Sequence, residues 1–238
     1  MARLFKALSL LLAYPTAEIA EAGPALIEVI GGDRSLPDNI RTGLRRLVTA
    51  MSTGDLMEAQ ERYVQLFDRS RSLSLHLFEH VHGESRDRGQ AMADLQDVYE
   101  RHGMMVNARE LPDYLPMFLE FLSTLPADEA RQMLGEPIHV LAAIRIRLEK
   151  KAEQDYAAVF AALEHLATAT VDATELQAVL AEPEDDPNDL QALDRIWEEE
   201  VVTFGPGAAG TVAPDGQCPS VRDILNRMSP VPEERTHG

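Results

Sequence analysis

The 238-residue chain holds a single cysteine, Cys218. That excludes an internal disulfide and a thiolate metal cluster, and it suits a reducing compartment. Aromatic residues are only 5%, and no segment alternates apolar and polar side chains over more than a few positions. Val201-Val202-Thr203-Phe204 is the sole β-like run. Positive charge is scarce: 22 Lys and Arg stand against 40 Asp and Glu, a formal charge of −18. A net anion of that size repels nucleic acid and anionic bilayers as main partners. No stretch approaches the roughly 18 apolar residues that a membrane span needs. Arg3 and Lys6 precede a short apolar run, faintly like a signal peptide, but Tyr14-Pro15 is no small-residue cleavage site. A G-x-S-x-G elbow and both glycine-rich phosphate loops are missing, and Cys218 has no histidine beside it. These absences point to a soluble, cytoplasmic protein without nucleophilic or nucleotide chemistry.

Helix signals fill the space that remains. Leu4, Leu8, Leu11 and Leu12 mark one face of an amphipathic helix. Thr16 caps a helix predicted over 17–30, and Gly31-Gly32 ends it. Further helices are predicted over 37–51, from Asp55 through Phe67, over 73–81, and from Ser85 to His102-Gly103. The series continues over 112–125, 128–134, 137–151 and 154–168, then over 175–180 behind Thr174 or Asp172, with Asp172 and Glu175 at capping-box spacing, and over 189–200. About ten helices with short connections describe an all-α fold, a single helical domain over 1–204. From Asp172 onward the formal charge is −11, against −7 before it, and glycine and proline crowd the positions after Phe204. Residues 205–238 therefore read as a flexible acidic tail.

His76-Leu77-Phe78-Glu79-His80 fits H-x-x-E-H, the inverted zinc-peptidase motif. On a helix His76 and His80 would share a face, with Glu79 as a base toward metal-bound water. Three fixed positions in five make a weak pattern, and among 40 carboxylates a third ligand proves nothing. The plainer reading packs Leu73, Leu77 and Phe78 inward and leaves the histidines at a polar margin. The zinc peptidase stands as an alternative, as does a generic helical peptide-binding adaptor.

The stretch from Tyr63 to Leu125 is richer. Glu79, Glu84, Asp87, Arg69, Arg71, Arg86 and Arg88 crowd a helical corner. Glu110-Leu111-Pro112-Asp113-Tyr114-Leu115-Pro116 sets two prolines around an acid and an aromatic. Pro112 suits a first helical turn, where Asp113 would favour the helix dipole. The functional reading is a rigid corner that presents Asp113 and Tyr114 to a ligand.

With Leu8 to Pro15, Tyr63 to Asp68, Glu79 to Leu95, Glu110 to Leu122 and Trp197 to Gly205 taken together, the chain resembles the nitrate reductase molybdenum-cofactor assembly chaperones, the delta-subunit family. These sit within the all-helical redox-enzyme maturation chaperones. The resemblance implies a cytoplasmic chaperone without catalysis and without a cofactor of its own. Its partner would be the apo catalytic (alpha) subunit of nitrate reductase, bound through its N-terminal segment. It would hold that subunit open for insertion of the bis-molybdopterin guanine dinucleotide cofactor, and delay membrane attachment until loading. The wider family's E-x-x-D-H signature falls on Glu110, Asp113 and Tyr114, where tyrosine replaces histidine; an aromatic hydrogen-bonding wall survives, and a role needing imidazole does not. The implied client-peptide residues are Glu110, Pro112, Asp113 and Tyr114, with Glu79, His80, His82, Arg86 and Asp87. A basic amphipathic leader would suit a groove with an apolar floor and an anionic rim, and Met92, Met104, Met105 and Met117 could make that floor adaptable.

Overall fold

Short polar side chains start the helices where the sequence predicts. The Asp55 carboxylate accepts the N–H groups of Met57 and Glu58 at 2.8 and 3.1 Å, and Asp172 does the same for Thr174 and Glu175. A computed structural model describes residues 1–82, 86–106 and 110–181. Its helices run α1 (Ala2–Leu12), α2 (Ala17–Glu21), α3 (Gly23–Gly32), α4 (Asp38–Thr53), α5 (Leu56–Tyr63), α6 (Glu79–His82) and α7 (Arg86–Arg101). Then follow α8 (Leu115–Leu122), α9 (Ala127–Leu134), α10 (Ile138–Lys150), α11 (Gln154–Leu166) and α12 (Ala173–Leu180). The expected all-α class holds: among the described residues the sole β pairing is an isolated antiparallel bridge between His76 and Tyr114. None of these helices is long and apolar enough to cross a membrane. The helix expected over 189–200, the 204/205 boundary and the acidic tail lie outside the described residues.

Four predicted helices come out differently, one of them the helix over 112–125, which shortens to α8. The one expected over 17–30 is two, because Pro24 enters the first turn of α3, where its missing N–H costs nothing. The run behind Asp55 widens at Tyr63 into a π-helical turn, Val64–Asp68, closed by the Arg69 N–H on the Val64 carbonyl. The helix predicted over 73–81 does not form: Arg71–Leu73 is one 3₁₀ turn and α6 starts only at Glu79. Between them the Leu77 N–H bonds to the Asp113 carbonyl and the Leu115 N–H to the Leu75 carbonyl, at 3.1 and 2.8 Å. Backbone groups committed across the fold cannot also close helical turns.

The core joins the start of the chain to its middle. Leu4, Phe5, Leu8, Leu11 and Leu12 of α1 are buried, as are Leu115, Phe118, Leu119, Phe121 and Leu122 of α8, and the two helices pack together. At their contact the buried Ser9 hydroxyl donates to the Pro116 carbonyl at 2.7 Å. α10 and α11 pack on each other, and α4 lies against α11. There a Cβ on Gly43 would stand 2.5 Å from the Ala158 Cβ, so only glycine permits that approach. Each fully buried Leu or Phe contributes about 1.5–3 kcal/mol.

Candidate functional site

Three segments that carry the resemblance meet at two tyrosines. The Tyr63 hydroxyl, at the end of α5, donates to the Leu12 carbonyl at 3.0 Å, at the last turn of α1. The Tyr114 hydroxyl lies 3.0 Å from the Tyr63 hydroxyl oxygen. A phenol carries one proton. Tyr63 gives its proton to Leu12, so Tyr114 is the donor in the pair. Tyr14 stacks edge-on against Tyr63, with ring centroids 5.6 Å apart. Burial pushes the Tyr63 and Tyr114 hydroxyls above the ordinary tyrosine range, which keeps both protonated and able to donate.

Asp113, fully buried, is the hub of the next layer. Its Oδ2 accepts the Phe78 N–H at 3.1 Å and its Oδ1 lies 3.3 Å from His76 Nδ1. That hydrogen bond, with the charges of Asp113 and Glu79, raises the His76 pKa above its ordinary value, against an opposing effect of burial. The preceding carbonyl, Pro112 O, accepts the hydroxyl of buried Tyr99 at 2.8 Å, which anchors α7. Asp113 therefore does not stand in a first helical turn. α8 begins at Leu115, with Pro116 and not Pro112 in its first turn. The expectation that Asp113 is presented to a ligand is corrected likewise: its carboxylate faces inward and fixes the 76–78 segment.

The zinc-motif geometry is corrected too. His76 sits in the bridge to Tyr114, not on a helix with His80. His80 is buried with Nε2 2.9 Å from the Ser74 carbonyl, so that nitrogen carries a proton and cannot ligate a metal. Burial, aided by the positive charge of Arg147, holds the His80 pKa below its ordinary value and keeps the ring neutral. Glu79 pairs with Arg88 at 3.1 Å. Among the described residues no three His, Cys, Asp or Glu side chains are grouped to hold a metal ion.

Leu77 and Phe78, held in place by Asp113, form one wall of an apolar cleft of about 400 Å³. Phe118 of α8 and Val140 of α10 supply its floor, and Val81 of α6 and Leu95 of α7 its near side. Ala178 and Val179 of α12 close the far side. The polar groups at its edge are Glu136, Glu175 and His139. Of the residues singled out from sequence, Asp113 and Tyr114 are adjacent in one network and Pro112 is buried beside them. Glu110 and Asp87 are exposed, and His82 and Arg86 close α6 and open α7. Glu110, Pro112, Asp113, Tyr114 and Asp87 do not line the cleft. Met92, Met104, Met105 and Met117 do not line it either.

Sequence reasoning passed over Glu136, His139, Glu175 and Arg147. Arg147 is 1% exposed and donates to the Ser72 and Val179 carbonyls at 2.9 and 2.8 Å. It follows Val140 and Ile144 at helical spacing, so a charge on an apolar stripe was its available signal. Nothing local marks His139 or Glu175, which are far apart in the chain and paired at 2.8 Å.

A buried polar network thus stands beside an apolar, acid-rimmed cleft in an all-helical body. The family model described as "Nitrate reductase delta subunit" matches residues 33–160, and the chain belongs to that family. It is 43% identical over 196 residues to the nitrate reductase molybdenum cofactor assembly chaperone NarJ of Escherichia coli K12, covering 82% of each protein. It is also 39% identical over 203 residues to that organism's probable assembly chaperone NarW, covering 85% of this chain and 84% of that protein. The probable NarJ of Bacillus subtilis is 32% identical over 149 residues, which cover 61% of this chain and 78% of that protein.

Proposed function

We propose that this protein is a cytoplasmic, system-specific assembly chaperone of nitrate reductase, without catalytic activity. It binds the apo catalytic subunit through that subunit's N-terminal segment, permits molybdenum cofactor insertion and delays membrane attachment. The observation that carries this reading is the apolar cleft rimmed by Glu136 and Glu175, in a chain similar over 82% of its length to a named assembly chaperone. An amphipathic helix can lay its apolar face on Leu77, Phe78, Phe118 and Val140 and set basic side chains against the two carboxylates. Opposite charge of this kind speeds encounter and selects the partner. A second depression, about 510 Å³ on the outer face of α4, carries Arg45 and Arg46 and has the wrong sign for a basic segment. Asp113, Tyr114 and His76 serve binding indirectly, by fixing the cleft wall; Glu110, Glu79 and Asp87 add to the anionic surroundings.

The test is affinity capture from cells grown anaerobically on nitrate, combined with calorimetry on a synthetic peptide of the catalytic subunit's N-terminal segment. Recovery of the catalytic subunit and saturable peptide binding are expected. Val81 is 60% exposed on the rim, so Val81→Arg should keep the fold and weaken the peptide about tenfold or more by like-charge repulsion. Capture of other proteins without the catalytic subunit would favour a generic adaptor.

A further inference from the structure

We propose that α12 is a hinged flap that covers the apolar cleft in the client-free chaperone and swings off when a client segment enters. The proposal rests on the reading of the cleft as the client's seat. α12 spans Ala173–Leu180 and has no buried residue, although Ala178 and Val179 line the cleft. α11, by contrast, buries Tyr156, Val159, Phe160, Leu163 and Leu166. Eight residues are too few to hold a helix in water without support. The contacts that keep α12 in place therefore decide where it sits.

Besides its packing on α10, the polar ties of α12 to the body among the described residues sit at its two ends. At the start, the Asp172 N–H donates to His139 Nε2 at 2.8 Å, while His139 Nδ1 lies 2.8 Å from the Glu175 carboxylate. Because Nε2 accepts, the ring proton is on Nδ1, and one imidazole clips the backbone and a side chain of α12 together. At the far end, Arg147 Nη2 donates to the Val179 carbonyl at 2.8 Å. The Asp172 cap on Thr174 and Glu175 is internal to α12 and travels with it. Lifting the flap breaks these hydrogen bonds and the Glu175 pair, and since α12 buries none of its own side chains it gives up little apolar burial of its own, the signature of a low-energy local opening. A client supplies both forces needed: an apolar face that competes for Phe118 and Val140, and cationic groups that draw Glu175 away from His139. A closed flap lowers the apparent affinity by the fraction of molecules that are open.

The experiment is hydrogen exchange on the full chain, wild type, His139→Ala and Glu175→Gln, with and without the catalytic subunit's N-terminal peptide. Without peptide, amides of 173–180 should exchange at least about tenfold faster than those of α10 and α11, and about threefold to tenfold faster again in both variants. The melting temperature of the body should stay unchanged. With saturating peptide, 77–81 and 138–141 should gain protection while 173–180 lose it, and His139→Ala should bind the peptide about threefold to tenfold more tightly. Amides of α12 that exchange as slowly as those of α10, or variants that melt the whole domain, overturn the flap. So does a peptide that protects α12 together with the cleft floor, which would make α12 a clamp. Peptide that protects nothing refutes the client reading instead, and the comparison of wild type with the two variants still decides the flap.

Discussion

Asp113 and Phe78 are 35 positions apart, yet the carboxylate of one receives the backbone N–H of the other at 3.1 Å. One residue earlier the pattern recurs, with the Leu77 N–H on the Asp113 carbonyl. A single buried acid thereby keeps a five-residue stretch out of helix and turns Phe78 into the wall of the cleft.

Asp113→Ala leaves the Phe78 N–H without its acceptor in a buried setting, which costs about 1–3 kcal/mol. The expected outcome is a lowered urea midpoint together with weaker peptide binding, since the wall shifts. Asp113→Asn keeps one carbonyl oxygen and loses less of both. An unchanged midpoint for the alanine variant would remove Asp113 from the role of staple.

His76 carries a pH signature. Its folded pKa lies above the ordinary histidine value of about 6.5 because of the Asp113 hydrogen bond. The linked stability is therefore complete below that ordinary value and is lost as pH rises through the raised one. Melting temperatures of wild type and His76→Gln from pH 5.5 to 8.5 should differ most at the acid end and converge toward the alkaline end. A gap that widens with pH contradicts the pairing.

The two tyrosine hydroxyls should couple. Tyr63→Phe removes the donor to Leu12 and the acceptor of Tyr114; Tyr114→Phe removes only its own donation. Each should cost about 0.5–1.5 kcal/mol, with Tyr63→Phe the larger. The double variant should cost less than the sum, because both singles delete the same bond. Strict additivity in chemical denaturation would show the hydroxyls to be independent.

Two small substitutions, one at a helix contact and one in the turn after α10, should act in opposite directions. Gly43→Ala drives a methyl into Ala158 and should destabilise by about 1–3 kcal/mol as α4 and α11 separate. Ala152 follows α10 at φ 62°, the left-handed region. Ala152→Gly relieves that conformation and should stabilise by about 1 kcal/mol. Urea unfolding of the pair of variants is the measurement; the same sign for both would contradict this account of the two positions.

What the sequence made legible was local. Asp55 and Asp172 announced their helices because a cap is written within three residues. The family resemblance, resting on the blocks around Tyr63 and Glu110, pointed to the right class for the same reason: each block is contiguous. The helix misplaced over 73–81 had proper apolar spacing, but its amides were claimed by Asp113, and no local rule weighs a bond to a residue 35 positions away. The cleft was hidden for a kindred reason. Its lining comes from the stretch before α6, from α6, α7, α8, α10 with the turn that precedes it, and α12, and the acids at its rim look like any other surface carboxylates in a chain with 40 of them.

The hydrogen bond from Ser9 to Pro116 closes a separation of 107 residues. At roughly 5–20 residues added per second, the ribosome takes about 5–20 s to deliver that partner after Ser9 has been made. Throughout this interval Leu4, Leu8 and Leu11 belong to a nascent chain whose covering helix does not yet exist. A chaperone built this way is itself exposed during its own synthesis, and its N-terminal helix is a segment that other factors can reach before the fold claims it.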